Sequence, residues 1–481
     1  MILKGRRKIM SEYSLADMKD INKLKQAIHY SYQTHQVNRT EIRYLMDYKN
    51  GEQEILNKVK EVRPEINNML VVNHAQMITR SITGYFLGTP IQYTQARGDN
   101  KEAIDTLNQA LLFEDKASVD KDIAEYQSIC GVGYRVIYTD GEYGDEVPFE
   151  DKALNPENTF VVYENKVAEK PLFGVNYTAL YDGTGAEIGY KIYCYTDHGL
   201  YTFISESFDL LHDTNEEYYS PYAIGGVPII EYPNNIWRLG DWELVIGVME
   251  AYNTLQSGRL DDIDQLVQSL LVFVNADIDK EIYDEMREAG VIILKNSTTN
   301  KTDVKVMNNA LDQTGVAQLA GELKDLIYAL IGIPDRNNKS AGGGDTGQAV
   351  ELRDGWADLE IVARNKELTF KRAEKQSLKI MLTILNSKMG VKLSLMDINI
   401  KFSRNKNNNL LVKTQAYSNL IATKTLDPAD CLTIVDLVSD VPEYVSRGRA
   451  FWGEDFAGKA TDMAQNEPPS EPKIDDKSQN E

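Results

Sequence analysis

The stretch that comes closest to a nucleotide-binding motif runs from Gly453 to Ala460. Gly453, Gly458 and Lys459 have the spacing of a phosphate-binding loop, in which backbone N–H groups cradle phosphates and a lysine contacts them. Position 460 is alanine, whereas the loop needs a serine or threonine hydroxyl there to bind Mg²⁺. The stretch also follows a predicted helix, and a phosphate loop should follow a strand. We therefore reject a nucleotide site here.

The other residue types that could do chemistry are scattered. The five histidines lack the i, i+4 spacing of a zinc-protease helix, and no G-x-S-x-G nucleophile elbow occurs. Asp261, Asp262 and Asp264 form a carboxylate cluster, but on a helix they splay over different faces, which is typical of a solvated surface. His74 lies in an apolar stretch and is interpreted as a core residue. The sequence predicts no catalytic activity, no metal and no cofactor.

A polar, glycine-rich loop leads into one very long predicted helix. Pro334 ends the preceding helix at Ile333, because proline lacks an N–H and restricts the residue before it. Three consecutive glycines at 342–344 disfavour helix. Residues 348–388 contain no proline and place apolar side chains at helical spacing. At 1.5 Å per residue this helix is roughly 60 Å long, which is enough to span a domain.

Composition limits the functional classes. The chain has 481 residues, of which 42% are hydrophobic and 26% are charged, and its net charge is −21. This charge argues against a general nucleic-acid binder, since phosphate contacts need Lys and Arg, but it permits a protein that surrounds DNA without gripping it. The three separated cysteines predict reduced thiols and a cytoplasmic folding environment. No membrane helix or signal peptide is expected, and either Met1 or Met10 could be the start.

Hydrophobic periodicity predicts a mainly α fold with α+β parts. A helix over 242–275 goes out, a compact insert turns the chain around, and a helix over 312–331 returns. Further helices are expected over 11–60, 69–92, 101–128, 280–288, 410–423, 427–438 and 441–454. Strands are expected over 134–138, 159–163, 172–177, 189–195, 199–204, 227–232, 291–295, 303–307 and 397–402.

Several strings, in their order and spacing from about residue 40 to 455, resemble the portal proteins of tailed bacteriophages, the SPP1-type family. The strings are Tyr85–Ile91, Gly131–Tyr134, Val227–Asn235, Asp241, Tyr252, Ser257, Asp261, Asp262, Ile331–Asp335 and Thr346–Val350. Thr346 stands where a serine is expected, a mild departure that leaves the helix start in place.

The resemblance implies a portal fold assembled as a ring around a central channel, with twelve subunits, or thirteen in the free protein. It implies the following division of the chain: wing 1–241, stem helix 242–275, clip 276–310, stem helix 311–333, tunnel loop 334–347, long wing helix and strand 348–409, crown 410–459, and a disordered acidic tail 460–481.

The resemblance also assigns site residues and partners. The tunnel loop would face DNA with Arg336, Asn337, Asn338, Lys339, Ser340, Gly342, Gly343 and Gly344. The clip would dock partners with Lys280, Glu281, Asp284, Arg287, Lys295, Asn296 and Lys301. The implied partners are double-stranded DNA, the terminase large subunit, head-completion or connector proteins, and the major capsid and scaffolding proteins. The protein would be made in the host cytoplasm and reside at the portal vertex of the virion.

Two other interpretations stay open at this point. One is a head or neck adaptor that encloses no channel. The other is an enzyme of DNA packaging, an ATPase or a nuclease, although the phosphate loop and the acidic metal constellation that such enzymes need are missing. A channel lined mostly by carboxylates would repel phosphate and let DNA slide, which fits the acidic charge.

Overall fold

The computed structural model describes residues 5–96, 100–139, 147–214, 217–267, 271–274, 281, 284, 303–306, 313–334, 356–404, 410–423, 426, 428–435, 437–438 and 441–452. The chain divides into two compact units. The first comprises residues 1–86 and 109–392, and the second comprises residues 87–108 and 393–481. Helices and strands are mixed, as expected from the sequence.

The α-helices of the described residues are α1 (Ile21–Asn50), α2 (His74–Phe86), α3 (Lys101–Phe113), α4 (Lys116–Cys130), α5 (Ile246–Val267), α6 (Gln313–Ile331), α7 (Trp356–Met389), α8 (Leu410–Ala422), α9 (Pro428–Val435) and α10 (Val441–Trp452). Helix α1 begins at an Asp20 N-cap, whose carboxylate accepts the N–H of Asn22. It ends at Gly51, which has a φ of 105°, a conformation that glycine adopts without steric cost.

The largest sheet has six strands in the order β1-β5-β6-β7-β8-β9. Its strands are β1 (Ile9–Ser11), β5 (Thr159–Glu164), β6 (Pro171–Tyr181), β7 (Glu187–Tyr195), β8 (Gly199–Ser205) and β9 (Glu217–Pro221). β1 pairs with β5 in parallel, and the other pairs are antiparallel. A second sheet has the order β10-β3-β4, from β3 (Val132–Tyr138), β4 (Glu150–Leu154) and β10 (Ile229–Pro233).

Helix α1 contributes to two hydrophobic cores of the first unit. Its first half packs Leu24, Ile28 and Tyr32 against the six-stranded sheet, where Tyr32 stacks on Phe208 with ring centroids 3.6 Å apart. Its second half supplies Ile42, Leu45 and Tyr48 to a core that also contains residues of α2, α5, α6 and β3. Because one continuous helix supplies both cores, the sheet and the helical layer are fixed to each other.

In the second unit, β2 (Gln92–Gln95) pairs antiparallel with β13 (Ile398–Lys401). Helix α8 packs against α9, and α9 packs against α10. These helices lie where the sequence predicted them over 410–454. No helix within the described ranges is long and apolar enough to span a membrane.

Four helix predictions were wrong in their limits. The helix expected over 11–60 forms only over Ile21–Asn50, because Asp20 caps its start and Gly51 in a left-handed conformation ends it. Residues 69–73 are extended rather than helical, and α2 begins only at His74. The helix expected over 101–128 is two helices, α3 and α4, because Asp115 adopts a left-handed conformation with φ of 47°. The helix expected over 242–275 ends at Val267 in the described residues, and β11 (Leu271–Val274) follows.

Candidate functional site

The candidate site consists of three helices: the two predicted to go out and return, and the long helix that follows them in the chain. α5 leads out to β11, which pairs antiparallel with β12 (Asp303–Val306), and α6 returns. α5 and α6 pack against each other. The out-and-back pair and the strand predicted over 303–307 are confirmed, while the pairing of β12 with residues 271–274 was not expected.

A segment without helix or sheet structure, residues 58–73, runs along α5 and contains a turn at residues 61–66; we call it the strap. Val72 N–H donates to Asn253 Oδ1 over 3.0 Å, and Leu70 N–H donates to Ser257 Oγ over 2.9 Å. Asn68 N–H donates to Asp261 Oδ1 over 2.7 Å. The bonded strap residues are therefore two positions apart and their partners on α5 four positions apart, and the strap runs antiparallel to the helix. The match is geometric, since four helical residues rise about 6 Å and two extended residues about 6.6 Å.

The strap makes several polar contacts with Asp261. Lys58 Nζ and Lys60 Nζ lie 2.7 Å and 3.3 Å from Asp261 Oδ2, and Asn68 Nδ2 also donates to Asp264. Burial alone would raise the pKa of Asp261, but hydrogen bonds from Lys58, from Asn68 and from Lys60 hold that pKa below its ordinary value. The solvated surface predicted for this cluster is therefore wrong for Asp261, which is buried.

The base of the helix pair is apolar. Ile327, Ile331 and Ile333 at the end of α6 are buried in one core with Leu359 of α7. His74 lies nearby, with its ring edge-on to Tyr252 of α5 and Tyr328 of α6, at centroid distances of 5.0 Å and 6.3 Å. Burial, with the charge of Lys324, lowers the pKa of His74. The prediction of a core histidine is confirmed.

The long helix α7 is anchored through a fully buried ion cluster centred on Arg135 of β3. Arg135 Nη1 lies 2.9 Å from Glu374 Oε2 of α7, Nε lies 3.2 Å from Asp151 Oδ1, and Nη2 contacts Asp120. Lys116 Nζ bonds to Asp120 and to Glu374. Burial opposes charge here, yet the Asp151, Asp120 and Glu374 carboxylates keep the pKa of Arg135 well above its ordinary value.

The cluster holds three carboxylates and two cations, so one negative charge is in excess. The excess negative charge falls on Asp151. Burial raises the pKa of Asp151 to about 6, although the attraction of Arg135 and Lys116 opposes this shift. A second anchor lies eight residues earlier on α7, where Lys366 Nζ is 2.7 Å from Asp241 Oδ2. Together these ion pairs fix α7 to strands, to α4 and to the turn before α5.

A further buried ion pair fixes the start of α5. Arg6 bonds to both carboxylate oxygens of Glu243, at 2.9 Å and 2.7 Å, and to the carbonyl oxygen of Cys130 at 3.0 Å. Arg6 Nε lies 3.3 Å from Glu41 Oε2 of α1. Burial raises the pKa of Glu243, although the hydrogen bond from Arg6 opposes this shift. The basic N-terminal segment is therefore part of the fold.

Most of the predicted site residues lie outside the described residues. This holds for the whole DNA-facing set, Arg336, Asn337, Asn338, Lys339, Ser340, Gly342, Gly343 and Gly344, and for Lys280, Arg287, Lys295, Asn296 and Lys301 of the docking set. Glu281 and Asp284 are helical and exposed. The phosphate-loop-like stretch after Trp452 is outside as well. Across the ranges that the structure describes, no group of His, Cys, Asp or Glu could hold a metal ion.

Sequence reasoning missed Arg135, Glu374 and Asn253. A periodic signal existed for Asn253, since polar residues at 253, 257 and 261 interrupt an otherwise apolar helical pattern every four residues. Arg135 and Glu374 gave no signal, because one stands in a strand and the other among the many charged residues of a long helix.

Comparison with known proteins gives the family. The model of the family described as phage portal protein, SPP1 Gp6-like, matches residues 28–443. The chain belongs to this portal family. The portal protein of Bacillus phage SPP1 is 24% identical over 290 residues, which cover 58% of this chain and 55% of that protein. This chain therefore matches about half the length of its curated relative.

One solved structure was also compared with the portal-family chain. It is titled "Neck of native GTA particle computed with C12 symmetry", and its chain is 15% identical, with a TM-score of 0.40. The match covers 76% of this chain and 91% of that one. We draw no argument from a similarity at this level.

Several residues of the strings that carried the resemblance to portal proteins have structural roles among the described residues. Gly131 has φ of 75° and lies against the backbone of Arg238, where a side chain would clash. Asn234 Nδ2 donates to Asp241 Oδ1 over 2.8 Å, beside the Lys366 pair. Ser257 and Asp261 hold the strap. These residues position the helix pair and α7.

Proposed function

We propose that this portal-family chain forms a ring at one vertex of a phage capsid, and that DNA is packaged and ejected through its central channel. The observation that carries the proposal is the family match over residues 28–443. In this proposal α5 and α6 are the stem, residues 276–310 are the clip, residues 334–347 are the tunnel loop, and α8 to α10 belong to the crown. The number of subunits that we expect is twelve.

The architecture supports this role. A conduit needs walls that stay rigid while a duplex moves past them. The strap holds α5 through three buried or half-buried acceptors, and the Arg135 cluster holds α7. The Arg135 cluster acts on α7, which follows residues 335–355 directly, and the strap acts on α5, which packs against α6 on the other side of those residues. The proposed DNA-facing loop with Arg336 and Lys339 lies among residues 335–355.

The negative net charge of the chain supports the passage of DNA through the proposed channel. At −21 per subunit, a ring repels the phosphate backbone at most points along a channel, and a duplex that is not bound tightly can pass. We expect no catalytic activity of its own. The clip would dock the terminase large subunit during packaging and connector proteins afterwards, and the ring would contact major capsid and scaffolding proteins in the virion.

Particle images of the purified full-length protein test the proposal. We expect rings with a central hole wide enough for a DNA duplex. Monomers or solid particles would contradict the channel and would favour an adaptor of the head or neck. ATP hydrolysis by the purified protein alone would favour a packaging enzyme.

A further inference from the structure

Helix α6 presents an apolar and acidic stripe to solvent. Leu319, Glu322, Leu326 and Ala329 follow one another at spacings of three, four and three residues, so they lie on one face. Leu319 is 47% exposed and Leu326 is 44% exposed, and Leu330 beside them is 60% exposed. From Thr314 to Leu330 the charged residues among the exposed positions are Glu322 and Asp325, both acidic.

Helix α7 presents a second stripe of the same spacing and the opposite charge. Ile361, Asn365, Leu368, Arg372 and Lys375 follow one another at intervals of four and three residues, and all are exposed. Leu368 is 71% exposed and Ile361 is 58% exposed. The exposed positions between Ile361 and Lys379 also include Arg364, Gln376 and Lys379, and none of them is a carboxylate.

The two stripes match in residue spacing and are opposite in charge. Leu319 and Leu326 are seven residues apart, and so are Ile361 and Leu368, which places both apolar pairs about 10.5 Å apart along their helices. Residues repeated at intervals of three and four form the seam along which two helices pack side by side. The carboxylates belong to the α6 stripe and the cations to the α7 stripe, so pairing them brings opposite charges together.

We propose that the α6 stripe of one subunit packs against the α7 stripe of a second copy of this chain. The proposal rests on the proposed ring and names the surfaces that would join its subunits. The two surfaces differ and lie on one chain, so the contact is head-to-tail. Such contacts close into rings when the rotation between successive subunits divides a full turn.

A DNA duplex is the other occupant that the basic residues of α7 could attract. Phosphate contacts require Lys and Arg but gain nothing from Ile361 and Leu368, which are the most exposed apolar side chains of α7 between Trp356 and Thr383. Burying both of them against Leu319 and Leu326 removes apolar area from water, at roughly 25 cal/mol per Å². The apolar content of the stripe therefore favours a protein partner.

Charge reversal on either stripe tests this contact in the full-length protein. We expect Glu322→Lys with Asp325→Lys, or Arg364→Glu with Arg372→Glu, to lower the fraction of assembled rings about tenfold. When Ile361 and Leu368 pack against Leu319 and Leu326, Arg364 comes level with Glu322, so either pair of substitutions places like charges opposite each other. All four substitutions in one chain should restore assembly. Lys121→Glu on the exposed face of α4 is the control and should leave assembly unchanged. Native mass spectrometry measures the distribution of masses.

A second measurement covers the case in which the charge variants misfold. We expect Leu326→Cys protein mixed with Leu368→Cys protein to form an intermolecular disulfide on oxidation, while neither variant does so alone. The natural cysteines Cys130, Cys194 and Cys431 are buried and should stay unreacted.

The outcomes separate this interface from the ring itself. A wild-type protein that stays monomeric overturns the ring and this interface together. A wild-type ring whose mass is unaffected by both charge-reversed pairs, with no crosslink in the mixture, overturns the interface alone. An intact ring of the Arg364→Glu, Arg372→Glu variant that loses a mobility shift with a short DNA duplex assigns the α7 stripe to DNA and overturns the proposal.

Discussion

Arg135 and Glu374 form an ion pair of 2.9 Å in which neither side chain is exposed to solvent. They are 239 positions apart in the chain and join strand β3 to helix α7. Tyr232 and Ser377 complete the hydrogen bonds around them. The pair is one of the two buried anchors that hold the long helix within the first unit.

Removing one partner of this pair should be costly. Glu374→Ala removes the buried acceptor of hydrogen bonds from Arg135 and Tyr232, and we expect it to lower the free energy of unfolding by about 1–3 kcal/mol. Gln376→Ala, at an exposed position nearby on the same helix, should change it by less than about 0.5 kcal/mol. Denaturant titration measures both. Equal stability of the two variants would contradict an anchoring role.

The same cluster predicts a dependence on pH. The pKa of Asp151 is about 6 in the folded chain and about 3.9 for an ordinary aspartate, so folding favours its protonated form. Its contribution to stability is present below about pH 4 and is lost as the pH rises through 6. The stability of wild type minus that of Asp151→Asn should therefore fall by about 1–3 kcal/mol between pH 4 and 7.

Measuring the difference between the two proteins at each pH removes the titration of other carboxylates, such as Glu243 and Glu250. A difference that stays flat or rises over this range would show that Asp151 is not held protonated.

The strap predicts a local effect on hydrogen exchange. Ser257→Ala removes the acceptor of the Leu70 N–H, and we expect a loss of about 1–3 kcal/mol in stability, with the Leu70 amide exchanging faster. Thr254→Ala is the matched control, because Thr254 is exposed and bonds within its own helix. Unchanged protection of Leu70 in Ser257→Ala would mean that the strap is held by other contacts.

Two adjacent arginines provide a matched pair near the N terminus. Arg6→Ala leaves the buried Glu243 without its bidentate partner and should lower the free energy of unfolding by about 3–5 kcal/mol. Arg7 is exposed, and Arg7→Ala should change stability by less than about 0.5 kcal/mol. Thermal unfolding followed by circular dichroism compares them. Similar midpoints for both variants would refute the importance of the Arg6 pair.

The proposed tunnel loop has a functional test. Deleting residues 341–344 should leave ring assembly intact and impair DNA packaging or retention, because the deletion shortens the segment proposed to face DNA and spares the stem. Particle images and a packaging assay give the two readouts. Failure of the rings to form would instead make the loop a structural joint.

The elements with strong periodicity could be predicted from the sequence. The strands rich in Tyr, Val and Ile between residues 134 and 232 form where they were expected. So do α6 and the described part of the long helix, whereas α5 ends at Val267 rather than near residue 275. Their alternation or helical spacing reports local conformation directly. The division of the chain into wing, stem, clip and crown stays a prediction, and it came from the family resemblance rather than from the residues.

What could not be predicted depends on contacts that are distant in the chain. Residues 69–73 are apolar enough for a helix, but their N–H groups bond to side chains of α5 about 180 positions later. Asp261 was interpreted as solvated because nothing in its neighbourhood shows that Lys58 and Lys60 reach it. Local propensity is overridden in both places by tertiary hydrogen bonds.

The strap has a mechanical consequence for α5. If the helix slid by one step of four residues, Met249 would face the N–H of Val72, which now bonds to Asn253. A thioether is a weak acceptor, so that position would leave a buried amide poorly satisfied. Intermediate positions would break all three bonds at once. Because the three bonds must break together, the strap resists sliding of α5 along its own axis.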